Sequence, residues 1–155
     1  MLFRSAAAAK RATAGGSWGA YYWNGYVYSS ELDRGFDILE LTPNDKLSKN
    51  EIEAAKLMRQ AVYNPQSQTK FEWPPAFVVV RSYLDQLVRN QGLAPARTTA
   101  IAAALDAAEA KSGAARKSAL TALAAQVDVD VKGAKDGQRV QWMSDAIKKL
   151  AAQTK

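Results

Sequence analysis

The residues best suited to chemistry fall into one aromatic cluster and two acidic groups. Trp18, Tyr21, Tyr22, Trp23, Tyr26 and Tyr28 lie within eleven positions, followed by Glu31, Asp33, Asp37 and Glu40. Clustered Tyr and Trp rings form stacking platforms for sugars or bases. Carboxylate pairs do the acid/base work of glycoside hydrolysis. The second group, Asp128, Asp130 and Asp136, offers the oxygen ligands that Ca²⁺ prefers. Its spacing fits no EF-hand loop, and Lys132 and Lys135 interrupt it. The chain contains no His and no Cys. That removes Ser-His and Cys-His nucleophiles, imidazole bases, and imidazole or thiolate metal ligands. Gly15, Gly16 and Gly19 lack the Lys-Ser/Thr pair of a phosphate loop. Charged turn residues are a commoner explanation than catalysis for the first acidic group, and a solvated turn for the second. The expectation is a non-enzyme with no catalytic residue, no cofactor and no metal.

The aromatic cluster needs a β-hairpin to position it. Asn24-Gly25 separates two runs of strand formers, the strongest local signal for a two-residue type I′ turn. That turn sets Trp23 opposite Tyr26, Tyr22 opposite Val27, Tyr21 opposite Tyr28 and Ala20 opposite Ser29. Trp23, Tyr26, Tyr21 and Tyr28 then share one face, and Tyr22, Val27, Ala20 and Ser29 the other. Asp33-Arg34-Gly35 predicts a second turn, and Phe36 to Leu41 a third strand, ended by Thr42-Pro43. Six of the ten Trp and Tyr residues sit in this hairpin. So small a sheet buries that many rings only against further strands or a covering layer. Trp18, Tyr21, Tyr22, Trp23, Tyr26, Tyr28, Phe36 and Ile38 are therefore the candidate packing or interaction face. Packing inside a β-structure is the commoner role for such a face, and ligand stacking the rarer one.

The remaining sequence predicts helix. Ser48-x-x-Glu51 is a capping box opening a helix with Ile52, Ala55, Met58 and Val62 inward, stopped at Asn64-Pro65. Phe71 and Trp73 are expected to pin the connection that follows. Pro74-Pro75 starts a helix reaching about Gln91, striped by Phe77, Val80, Leu84, Leu87 and Val88, with Gly92 as the C′ residue. A third helix opens at Pro95 with Ile101, Leu105 and Ala108 inward and closes at Ser112-Gly113. A fourth, about Ala114 to Gln126, carries Leu120, Leu123 and Val127. Asp128 to Gly137 reads as a loop with a short extended piece. The last helix, about Gln138 to Ala152, carries Val140, Met143, Ile147 and Leu150, with Trp142 as a packing or rim residue. The alanine-rich stripes from Ala94 onward are narrow, as in three short antiparallel helices. The fold class expected is α+β, a three-strand sheet followed by a mainly helical bundle.

Composition narrows the partners. The 155 residues carry a net charge of +6 and a pI near 9.6. Basic residues are interleaved with acidic ones and form only pairs, such as Lys10-Arg11 and Lys148-Lys149. Nucleic acid is thus the weaker reading of the charge. No apolar run reaches the length of a transmembrane helix. The opening MLFRSAAAAKRATAGG has too short an apolar stretch for a secretory signal, and Met1 to Ser5 read as a non-natural lead.

The run GSWGAYYWNGYVYSSELDRGFDILELTP, followed by LSKNEIEAAKL, resembles the C-terminal end of bacterial LVIVD-repeat proteins. The likeness covers about Gly16 to Leu57 and extends more loosely through NPQ, FEWPP and YLDQL to about Leu87. The repeats themselves are absent here. The resemblance implies a β-propeller and an extracellular, periplasmic or cell-surface location, and no activity. It divides the chain into a non-native or disordered lead at 1–15, a terminal blade remnant at 16–43, and a helical domain at 44–155, with sub-units at 44–92 and 93–155. The expected partners are the preceding propeller blades, another protein or an envelope surface, and other copies of the isolated chain. Two alternatives remain: a basic α+β module for nucleic acid or an anionic surface, and a carbohydrate-binding or hydrolase piece.

Overall fold

The structure, a computed structural model, describes residues 16–32, 35–67 and 69–154. Expectations for the lead at 1–15 and for Asp33 and Arg34 lie outside these residues. The fold is α+β: a three-stranded antiparallel sheet is followed by five α-helices. Contacts divide it into two compact units. One holds the sheet together with Arg59–Thr69; the other holds Pro43–Met58 and the chain from Lys70 onward.

In the first unit, β1 (Ser17–Trp23), β2 (Tyr26–Glu31) and β3 (Gly35–Glu40) pair in chain order. Asn24 and Gly25 both take positive φ, 50° and 105°, as a type I′ turn requires. The register is the one that turn dictates, from Trp23↔Tyr26 to Ala20↔Ser29. A bulge at Trp18 then breaks the β1 ladder, whereas β3 runs in unbroken register from Glu31↔Gly35 to Tyr26↔Glu40.

The second unit begins with α1 (Lys49–Lys56), opened by the Ser48/Glu51 capping box. Ser48 Oγ accepts from Glu51 N, and Ser48 N donates to Glu51 Oε2. The helix is shorter than the sequence predicts. Its buried residues are Ile52 and Ala54, and Val62 is 73% exposed. The physical reason lies at Gln60, whose amide donates to Asn24 Oδ1 and whose carbonyl accepts from Asn24 Nδ2, both at 2.8 Å. Arg59 adds a 2.8 Å bond to the Asn24 carbonyl. These bonds satisfy the backbone outside a helix.

Four helices share the main core: α2 (Phe77–Arg89), α3 (Pro95–Glu109), α4 (Gly113–Asp130) and α5 (Gly137–Gln153). The alanine-rich stripes from Ala94 onward are those of α3, α4 and α5, and α2 packs with them. Val80, Leu84 and Leu87 bring α2 into the same cluster as Ile101, Leu105, Leu120, Val127, Met143 and Ile147. Each such apolar side chain contributes about 1.5–3 kcal/mol when fully enclosed. Within α2, Val79 is buried, and Val88 is exposed rather than inward. Pro75 precedes this helix, whose N-cap is Ala76.

Two helix ends differ from expectation. The left-handed residue after α2 is Gln91, φ 52°, not Gly92. Gln91 N bonds Val88 O and Gly92 N bonds Leu87 O, a Schellman closure. Gly92 is required instead for close approach. A Cβ there would lie 2.6 Å from Asn90 Oδ1 and 2.8 Å from Asp136 Cβ. At the other end, α4 runs on through Asp128 and Asp130, with no extended piece. Their carboxylates are held in helical register by partners: Ser144 and Lys148 for Asp128, and Arg97 at 2.7 Å for Asp130.

Candidate functional site

The aromatic face of the sheet assembles from alternate positions on its three strands. Trp23 and Tyr28 rings lie 5.8 Å apart, and Tyr28 and Phe36 5.9 Å apart. Tyr21 meets Tyr63 edge-on at 5.7 Å. Trp23 and Tyr28 are half-buried, and Trp23 Nε1 is enclosed without an acceptor among the described residues. Their neighbours are open. Trp18 is 79% exposed, Phe36 and Ile38 are each 61% exposed, and Tyr21, Tyr22 and Tyr26 are also exposed. The opposite face is anchored by buried Ser29, whose hydroxyl lies 2.6 Å from that of Ser17. Among the described residues no strand pairs with the outer edge of β1 or of β3.

The acidic residues of the sheet take separate ladder positions. Glu31 pairs with Gly35, Asp37 with Ser29 and Glu40 with Tyr26 along the ladders, while Asp33 lies outside the described residues. In the helical unit Asp128, Asp130 and Asp136 go to three different places. The Ser144 hydroxyl, and then Lys148, lower the Asp128 carboxyl below its usual range. Asp136 caps α5 by accepting from Arg139 N at 3.1 Å, and it also accepts from Asn90 Nδ2 at 2.7 Å. No group of three or more potential metal ligands occurs among the described residues.

A second aromatic assembly, in the helical unit, escapes sequence reasoning. The segment Lys70 to Pro75, the α2 residues Val79 and Tyr83, and Trp142, Asp145, Ala146, Lys148 and Lys149 of α5 enclose an open cleft of about 550 Å³. Tyr83 and Trp142 rings lie 6.4 Å apart. Phe71, Trp73 and Trp142 are exposed at its walls, so the first two line a cleft rather than being sealed in the core. Burial raises the Tyr83 phenol above its usual range. Its walls are some 70 residues apart in sequence, and no local pattern joins them.

Four arginines of this unit are ion-paired. Arg81 contacts Asp106 and Glu109, Arg89 contacts Glu51, Arg97 contacts Asp130, and Arg139 contacts Asp136. No helix among the described residues is long and apolar enough to cross a membrane. No family model, curated protein or solved structure matches the chain.

Proposed function

We propose that this chain carries the closing β-element and the C-terminal helical module of an exported LVIVD-repeat propeller protein, in a structural, non-enzymatic role. The observation that carries this reading is the open sheet. Its aromatic residues are arranged as for burial, yet Trp18, Phe36 and Ile38 remain largely exposed. Exposed apolar groups of this size, on a sheet whose outer edges meet no strand among the described residues, mark an interaction surface. In this reading further blades of the same protein cover it, and the full-length protein is exported to the envelope or beyond. The ion-paired arginines favour this over a nucleic-acid module, since each is neutralised within the fold.

Two measurements test it. The DNA upstream of the Met1 codon is expected to encode β-repeats in the same frame; an isolated gene without them overturns the proposal. In solution the chain is expected to self-associate through the sheet, and Phe36→Glu with Ile38→Lys to return it to monomer. Sedimentation of the unaltered chain as a clean monomer at high concentration would contradict the exposed-surface argument.

A further inference from the structure

The geometry points to an oligosaccharide-binding site, suited to neutral sugars, in the cleft between the Lys70–Pro75 segment and α5. This goes beyond the propeller reading and stands on the helical unit alone.

The cleft's volume of about 550 Å³ falls in the range of roughly 300–1,000 Å³ usual for small-ligand sites. Its walls combine two kinds of group. Phe71, Trp73, Tyr83 and Trp142 offer ring faces. The negative π face attracts the weakly positive C–H groups that line one side of a pyranose. Between and beside the rings stand Glu72 and Asp145, which only accept hydrogen bonds, and Lys70, Lys148 and Lys149, which only donate. Sugar hydroxyls do both, so a ligand with an apolar flank and many hydroxyls satisfies the whole set.

Competing ligand classes fit less well. A polyproline segment also docks on aromatic grooves. Its prolines have no N–H to give Glu72 or Asp145. Single-stranded nucleic acid would stack on the indoles, but its phosphates would sit beside the same two carboxylates. Charge weighs against anionic ligands. Asp128 holds Lys148 at 2.9 Å, and Lys70 and Lys149 are offset by Glu72 and Asp145, which leaves no net attraction for a uronate over a neutral sugar.

Calorimetric titration of the whole chain with cellotetraose tests the site, with tetragalacturonate, an octathymidylate and an octaproline alongside. Saturable binding of cellotetraose is expected, at least as tight as that of tetragalacturonate. Trp73→Ala and Trp142→Ala should each weaken it about tenfold, the loss expected for one aromatic stacking contact. Trp142→Phe should restore much of it, and Trp18→Ala in the sheet should leave it unchanged. Circular dichroism confirms each variant's fold; if Trp142→Ala unfolds, Trp73→Ala decides, because Trp73 lies outside any helix. No heat with cellotetraose, binding unaltered in Trp73→Ala, or tighter binding of the octathymidylate or octaproline would overturn the assignment. None of these outcomes bears on whether β-repeats lie upstream.

Discussion

The sheet unit and the helical unit use apolar residues in opposite ways. In the helices, Leu87, Ile101, Leu105, Leu120, Met143 and Ile147 are all fully enclosed. In the sheet, the large rings and Ile38 lie half-buried or open, and the buried side chain is that of Ser29. Both units have regular backbone. The difference teaches that well-formed secondary structure and a filled core are separate achievements. A hairpin register can be set by a turn of two residues, whereas a core needs complementary surfaces from several elements.

The sharpest way to break this comparison is to truncate one residue from each unit. Leu87→Ala should lower stability by about 2–5 kcal/mol, the usual cost of a buried leucine and its cavity. Ile38→Ser in the sheet should change it by less than about 0.5 kcal/mol. Urea unfolding followed by far-UV circular dichroism measures both, and similar losses would erase the distinction.

Gly92→Ala comes next, at about 1–3 kcal/mol destabilising, because the added methyl overlaps Asn90, Asp136 and Leu87. A thermal melt of the variant checks it.

Acid should then act selectively on the helical unit through Glu51. The hydrogen bond from Arg89, with help from Ser48, lowers this carboxyl below its ordinary pKa. A depressed native pKa adds stability that is complete above the unfolded value and fades as pH falls through the native one. Glu51→Gln should therefore cost about 1 kcal/mol at neutral pH, with the difference shrinking in acid. A difference that grew toward low pH would reverse the sign.

The smallest effect is local to the sheet unit. Asn24→Gly keeps a turn-compatible residue but removes both side-chain bonds to Gln60. About 1 kcal/mol of local protection should vanish from the Gln60 amide in hydrogen exchange, with little change in global melting.

Much of this fold was legible in the residues themselves. Asn24-Gly25 set the strand register, and Ser48 with Glu51 marked the start of α1. The apolar spacing of Ile101, Leu105 and Ala108, and of Val140, Met143, Ile147 and Leu150, identified α3 and α5. The misreadings arose where a distant partner overrode a local pattern. Alternating Asp and Val at 127–131 looked extended, but Arg97, Ser144 and Lys148 hold those carboxylates on a helix. Likewise α1 stops early because Asn24, 36 positions away, captures Gln60. Of the two aromatic assemblies, the sheet face was visible because its residues are near neighbours in sequence. The cleft was not, since it exists only once Trp73 and Trp142 are brought together by folding.

The joint at Asp136 has a consequence for how the bundle comes apart. Asp136 caps α5, its amide donates to Gly92 O, and its side chain accepts from Asn90. The last turn of α2 and the first turn of α5 are thus fastened to one another, and neither can fray alone. Transient opening should begin elsewhere, at ends without such a clasp, and amides on both sides of this joint should exchange as one cooperative block.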